Sequence, residues 1–274
     1  MVERNILTVD VLEGVERSEE CPLCYLWLKD ERRNMEYVLM NEVTMSKEFR
    51  GEILASKGFC NYHAHLLYRI ASEGQTEDGL GYAMYMQAVI NRIIEQLESL
   101  PLGSMSSLEN HADSNILPWV RRRRQAFAPL LNNVEHAVQG ENPCPICRSL
   151  WTSDELHLDT LVKMLDDKDF RVEFRSSKGL CLSHFASAIR IASLSDLKNP
   201  ADVARALIEA EIKRLQLTAC YLSEFMRKQN WKFRNESPGP EVNAYYMSLR
   251  ILDGVGGLYC RSYRAFSPWE LDDR

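Results

Sequence analysis

Apolar residues recur at steps of three and four along most of the chain, which is the spacing of amphipathic helices. Leu28, Met35, Leu39 and Val43 follow roughly this spacing, and charged residues fill the positions between them. No run of alternating β-branched residues with hairpin signals competes with the helical pattern. We therefore predict an all-α fold.

Two longer apolar rows predict buried seams between packed helices. The first row is Met86, Ile90, Ile93, Leu97 and Leu100, and the second is Ile208, Ile212, Leu215, Ala219, Leu222 and Met226. A last helix is expected after the Ser237–Pro240 segment, ending at Gly254, because proline favours helix starts and glycine favours helix ends.

The same motifs occur twice in the same order. Cys21-Pro-Leu-Cys24 corresponds to Cys144-Pro-Ile-Cys147, and Gly58-Phe-Cys60-Asn-Tyr-His63 corresponds to Gly179-Leu-Cys181-Leu-Ser-His184. Further matches pair Lys47–Arg50 with Lys168–Arg171, Ser56–Lys57 with Ser177–Lys178, and Arg69–Ser72 with Arg190–Ser193. Each copy is about a hundred residues long, so we interpret the pattern as an internal duplication of a domain-sized helical unit.

The duplication predicts four successive segments. These are a first helical metal-binding repeat at 1–100, a connector with an Arg-rich helix at 101–131, a second helical metal-binding repeat at 132–228, and an aromatic-rich C-terminal extension at 229–274.

Each repeat contains the donors of a closed metal site. A C-P-x-C pair is followed, after a helical stretch, by a C-x-x-H pair, and three thiolates with one imidazole form a tetrahedral set that Zn²⁺ takes in structural sites. The first cysteine of C-P-x-C suits a helix N-cap, where free N–H groups and the helix dipole favour the thiolate. We expect each repeat to close on its own zinc ion, two per chain. The predicted ligands are Cys21, Cys24, Cys60 and His63 in the first repeat, and Cys144, Cys147, Cys181 and His184 in the second.

Other uses of these cysteines fit less well. A redox C-x-x-C pair belongs in a βαβ setting that this sequence lacks, and neither C-P-x-C is followed by the histidine of a haem attachment motif. Four protein ligands leave no open position for a catalytic zinc. An iron-sulfur cluster with histidine ligation stays open as the alternative cofactor.

Charge and composition narrow the class of protein further. The net charge of -6 argues against a chain-wide affinity for nucleic acid or anionic membrane. The N-terminus has no apolar segment of a signal peptide, and no apolar run approaches the length of a membrane span. We therefore expect a cytoplasmic protein, in which reduced cysteines favour metal binding over disulfides.

The remaining candidate residues carry weaker signals. The basic run Arg121, Arg122, Arg123 and Arg124 is interpreted as a charged connector helix, since no glycine-rich phosphate loop lies near it; an anionic ligand or nucleic acid there is the less favoured reading. His65 aligns with an alanine in the second repeat and is not expected to bind metal. Ordinary surface or core roles are expected for His111, His136 and His157, and Cys220 and Cys260 are expected to act as small apolar residues.

The duplicated C-P-x-C and G-x-C-x-x-H pattern resembles an uncharacterised archaeal and bacterial family of unknown function, and the resemblance spans most of the chain. It implies the same eight metal ligands and supplies no activity. We expect a zinc-binding, non-enzymatic scaffold or a module that binds a protein partner. The alternatives are an iron-sulfur electron carrier or redox sensor, and an enzyme with a site between the repeats.

Overall fold

The structure is a computed structural model that describes residues 5–73, 79–100, 128–233 and 235–254. Regular structure within these ranges is helical throughout, without a strand, which confirms the all-α prediction. The predicted basic helix at 121–124 lies outside the described residues, as do His111 and Cys260.

The helices follow one another along the chain with short connections. They are α1 (Ile6–Arg17), α2 (Pro22–Val38), α3 (Asn41–Met45), α4 (Lys47–Ala55), α5 (Asn61–Glu73), α6 (Leu80–Glu98), α7 (residues 128–138 in the described part), α8 (Pro145–Met164), α9 (Lys168–Ser176), α10 (Leu182–Leu194), α11 (Pro200–Lys228) and α12 (Ala244–Leu252). Two short 3₁₀ turns, Trp231–Phe233 and Pro240–Asn243, lie between α11 and α12. The last helix thus ends just before Gly254, as predicted.

The chain divides into two compact units that are interleaved in sequence. Met1–Arg32 and Leu150–Arg274 form unit 1, and Arg33–Ser149 forms unit 2. The chain passes from one unit to the other within helices α2 and α8. The four successive segments expected from the repeat stay a prediction.

Helix α11 packs through a different face from the predicted one. Its buried apolar residues are Val203, Ala206, Leu207 and Ala210, where the small side chains allow close packing against α9 and α10. The prediction of a buried seam is wrong here, because α11 carries a second apolar row with helical spacing. Residues of the predicted seam that are exposed include Ile208, Ile212, Leu215 and Met226.

Helix α6 deviates from its predicted seam in the same way. Tyr85 and Val89 are buried, whereas Ile90 is 54% exposed and Leu97 is also exposed. The Tyr85 hydroxyl donates to the Val38 carbonyl at 2.8 Å, and its ring meets Phe49 edge-on with centroids 5.8 Å apart. The aromatic ring and its satisfied hydroxyl therefore anchor α6 in place of the aliphatic row.

In unit 2, the segment before Cys144 lies directly on the segment before Cys60. The Glu141 N–H donates to the Ala55 carbonyl at 2.8 Å. A Cβ on Gly140 would lie 2.3 Å from the Ser56 carbonyl oxygen, so no side chain fits there without a backbone shift. This contact brings two distant parts of the chain together just ahead of their cysteines.

We expect Gly140→Ala to destabilise unit 2 by about 1–3 kcal/mol, the usual range for overpacking, because the added methyl group meets backbone atoms. Chemical denaturation followed by circular dichroism measures the change. Gly51→Ala is the matched control, since a Cβ at this helical position meets nothing within 4 Å. The control is expected to be neutral or stabilising, and equal losses for the two variants would contradict the role of the contact.

Candidate metal centres

The eight predicted ligands lie in two compact groups, each with three cysteines and one histidine. Within each group the possible ligand atoms all lie within 4.8 Å of one another. Site 1 consists of Cys21, Cys24, Cys181 and His184 in unit 1, and site 2 consists of Cys60, His63, Cys144 and Cys147 in unit 2.

The pairing of the motifs is crossed between the repeats. The C-P-x-C of the first repeat lies with the C-x-x-H of the second repeat, and the reverse holds at site 2. The expectation that each repeat closes on its own ion is therefore wrong. The loop spacing within a repeat is compatible with either arrangement, and the fold brings together the motifs that are far apart in sequence.

Site 1 is buried and tightly assembled. His184 Nδ1 lies 3.4 Å from Cys21 Sγ, 3.6 Å from Cys24 Sγ and 3.1 Å from Cys181 Sγ. The Cys24 and Cys181 sulfurs are 3.7 Å apart. A single imidazole nitrogen thus lies close to all three sulfurs.

Site 2 repeats this arrangement with the other set of motifs. His63 Nδ1 lies 3.3 Å from Cys60 Sγ, 3.6 Å from Cys144 Sγ and 3.2 Å from Cys147 Sγ. The Cys60 and Cys147 sulfurs are 3.7 Å apart. His63 and the 144–147 pair are buried, and Cys60 is half-buried.

Four helix N-termini supply these donors, two at each site. The carbonyls of Cys21, Cys60, Cys144 and Cys181 accept the backbone N–H groups four residues later, which makes each first cysteine the start of its helix. Helices α2 and α10 meet at site 1, and α5 and α8 meet at site 2. The positive end of each helix dipole favours thiolates at these positions.

Glycine supplies the reversal that leads into each C-x-x-H helix. Gly58 has φ 101° and Gly179 has φ 73°, in the left-handed region that favours glycine. In site 2 the His63 N–H also donates to Cys60 Sγ at 3.5 Å. The turn and the first helical turn together aim both donors of the motif at one point.

The three cysteines of site 1 have strongly shifted pKa values. Burial raises the pKa of Cys21 well above its ordinary value. The hydrogen bond with Cys181 lowers the pKa of Cys24 far below its ordinary value. The hydrogen bond with Cys21 lowers the pKa of Cys181, but the hydrogen bond with Cys24 and burial together raise it to about 12. The thiols of site 1 thus shift one another's pKa values in opposite directions.

The other two shifts fit the same picture. Burial lowers the pKa of His184, but the charge of Cys21 and the hydrogen bond to Asp154 outweigh burial and raise it well above its ordinary value. At site 2, burial raises the pKa of Cys144. Hydrogen bonds with Cys147 and Cys60 outweigh burial, and the pKa lies well below its ordinary value. A divalent cation that binds three thiolates and a neutral imidazole has to displace the remaining protons, so binding weakens as pH falls.

Asp154 orients the histidine of site 1. The His184 Nε2–H donates to Asp154 Oδ1 at 3.0 Å, which leaves Nδ1 to face the sulfurs. Such a carboxylate partner fixes the tautomer and raises the basicity of a metal-binding histidine. Sequence reasoning missed this residue, because Asp154 follows the ligands of site 2 on helix α8 and lies 30 positions from His184 in the sequence.

The end of helix α12 closes over site 1. Gly254 has φ 70°, and a Cβ on it would lie 2.9 Å from Cys181 Sγ and 3.1 Å from Cys24 Sγ. Arg250 on the same helix makes an ion pair with Glu20, the residue before Cys21. The end of α12 is therefore held near site 1 by the Arg250–Glu20 ion pair and by the contact of Gly254 with the sulfurs. Only glycine fits at position 254.

The histidines and the cysteine that were not expected to bind metal lie apart from both sites. His65 is exposed on α5, and His136 is exposed near Glu141. His157 is buried in unit 1, with its ring nitrogens 3.6 Å from Asp30 and 4.0 Å from Asp10. Cys220 is exposed rather than packed as a small apolar residue, which corrects that expectation.

Comparison with known proteins places the chain among relatives that carry no assigned role. Residues 2–254 match the model of a family described as Family of unknown function (DUF6062). The chain belongs to this family. No curated protein and no solved structure matches the chain. The DUF6062 match therefore identifies the family but supplies no activity.

We expect Asp154→Ala to weaken the binding of added zinc, used as a probe metal, at site 1 by about 10- to 100-fold, because the histidine loses the partner that holds its tautomer. Competition with a chromophoric chelator measures the affinity of each site. Glu155→Ala, at the exposed neighbouring position, is the matched control and should bind zinc as the unaltered protein does. Unchanged affinity in Asp154→Ala would refute the orienting role.

Proposed function

We propose that this protein binds two zinc ions in closed structural sites and acts as a non-enzymatic scaffold or partner-binding module. The observation that carries the proposal is the pair of compact groups, each with four soft or borderline donors at the meeting of two helix N-termini. Three cysteines and one histidine form a common donor set of structural zinc.

The spacing of the donors supports a single ion at each site. A zinc–sulfur bond of about 2.3 Å and tetrahedral angles place two sulfurs about 3.8 Å apart. The sulfur pairs Cys24–Cys181 and Cys60–Cys147 are both 3.7 Å apart. An iron-sulfur cluster puts several iron and sulfide atoms between its ligands and needs a wider cage, so the spacing favours zinc over the cluster alternative.

The closure of the sites supports a structural role over a catalytic one. Four protein donors complete a tetrahedral shell, whereas catalytic zinc keeps a position open for water or substrate. Three donors of site 2 and all four of site 1 are buried, which hinders the approach of a substrate.

Two further observations bear on partner and compartment. Helix α11 exposes Ile208, Ile212 and Leu215, whose steps of four and three are typical of a row that packs against another helix; this supports the binding of a protein partner. No helix in the described part of the chain has the length and apolar character of a membrane span. We propose a cytoplasmic location, since thiolate ligands persist in a reducing compartment.

Elemental analysis with an absorption spectrum tests the metal assignment. We expect colourless protein with about two zinc ions per chain, one for each closed four-donor site. Cys181→Ser and Cys147→Ser should each lose about one zinc ion, since each removes a ligand from a different site. Cys220→Ser, which alters an exposed cysteine outside both sites, should keep both ions.

A brown protein with iron and acid-labile sulfide would contradict the zinc assignment and favour the cluster alternative. Loss of both ions from either single variant would contradict two separate sites.

A further inference from the structure

Unit 1 contains a cavity of about 530 Å³ beside site 1. This volume falls in the range of about 300–1,000 Å³ that is typical of small-molecule pockets. Its walls come from the turn after α1, the end of α9, one face of α11, and the segment from Pro240 to α12. All of these segments belong to unit 1, so the cavity is formed within one compact body.

The cavity carries an excess of positive charge. Lys178, Lys213 and Arg214 line it, against Glu19 and Glu20. Glu20 is already engaged by Arg250. The cavity therefore presents more cationic than available anionic groups, which favours a negatively charged occupant.

Arg214 places a guanidinium in this wall. Its Nη1 atom is buried and makes no hydrogen bond with any described residue. Glu211, one turn earlier on α11, interacts with Arg214 through its charge, yet its buried Oε1 also makes no hydrogen bond in the described part of the chain. Both of these atoms are buried, so Arg214 contributes to the cavity through the positive charge of its guanidinium and not through the Nη1 donor.

The remaining walls suit an apolar or aromatic body attached to that anion. Tyr221 and Tyr246 line the cavity together with Leu217, Met247 and Ile251. Aromatic and aliphatic walls with a few polar groups are typical of sites for small organic molecules. Thr218, which is buried, and Ser177 add hydroxyl groups to the lining.

The aligned place in unit 2 is closed by a direct contact. In the repeat alignment, Ala55 and Ser56 correspond to Ser176 and Ser177, and Asn142 corresponds to Glu19. Asn142 and its neighbour donate their N–H groups to the Ala55 carbonyl in unit 2. In unit 1 the corresponding segments instead border the open cavity. The opening is thus a specific departure from the arrangement seen in the other unit.

We propose that this cavity is a binding site for a small organic anion, in which Arg214, Lys213 and Lys178 bind a phosphate or carboxylate group while the tyrosine-containing wall covers an aromatic or apolar body. The site is distinct from the metal centres and needs no chemistry at the metal.

Calorimetric titration of the metal-loaded full chain, at fixed ionic strength, tests this proposal. The probes are phenyl phosphate, benzoate and inorganic phosphate, with benzyl alcohol as the neutral control. We expect saturable binding of phenyl phosphate or benzoate at one site per chain, and no comparable binding of benzyl alcohol. The preferred aromatic probe identifies the anionic group as phosphate or carboxylate, and weaker binding of inorganic phosphate supports a role for the apolar wall.

Matched variants on helix α11 locate the binding. Arg214→Gln and Lys213→Gln should each weaken binding by about tenfold or more, as expected for the loss of a charged hydrogen-bond donor. Arg205→Gln removes the same charge at an exposed position outside the cavity lining and should bind normally. Lys213 is exposed, so its variant tests the site even if Arg214→Gln does not fold.

Absence of saturable binding by both aromatic anions would overturn the proposal. So would equal affinity of Lys213→Gln and Arg205→Gln, or binding of benzyl alcohol as tight as that of the anions.

Discussion

Buried thiolates a few ångströms apart cannot coexist without positive charge between them, and this constraint governs both sites. The helix N-termini supply part of that charge, because their free N–H groups and dipoles point at the sulfurs. Hydrogen bonds with Cys181 and Cys21 lower the pKa of Cys24, whereas burial and the neighbouring thiols raise the pKa of Cys21, so the thiols oppose one another's ionisation. We propose that a divalent cation supplies the rest, which would hold together the helix starts that meet at each site.

The crossed pairing brings together cysteines that are far apart in the sequence. Cys24 and Cys181 are 157 residues apart, and Cys60 and Cys147 are 87 residues apart. The donors of each site come together only in the folded chain, so the binding free energy of a metal ion there would add directly to the stability of the fold. Pairing within a repeat would close much shorter loops and leave the compact units without a covalent or coordinate link between their distant parts. A metal ion bound at each site would therefore link segments that are far apart in the sequence.

Each unit then uses its site to position a different neighbouring feature. In unit 2, the Gly140 backbone lies against Ser56, and the two segments that precede the ligands touch directly. In unit 1, helix α12 ends on the sulfurs at Gly254, and the corresponding segments lie apart around a cavity. The same set of four donors thus lies beside a closed backbone contact in unit 2 and beside an open, positively charged cavity in unit 1.

The parts of this account that the sequence could predict are local. The helical period, the N-cap position of Cys21 and the left-handed turns at Gly58 and Gly179 depend on neighbouring residues, and they could be read directly. The partner of each C-P-x-C could not, because both C-x-x-H motifs offer the same donors. The buried face of α11 could not either, since two of its faces carry apolar rows.

The most direct measurement of the central claim is thiol alkylation, read by mass spectrometry, in the metal-loaded Cys21→Ser variant. Crossed pairing predicts that Cys24 and Cys181 become reactive when their site loses a ligand, while Cys60 stays protected. Protection of Cys181 together with exposure of Cys60 would show that each repeat closes on its own ion, and would contradict the account.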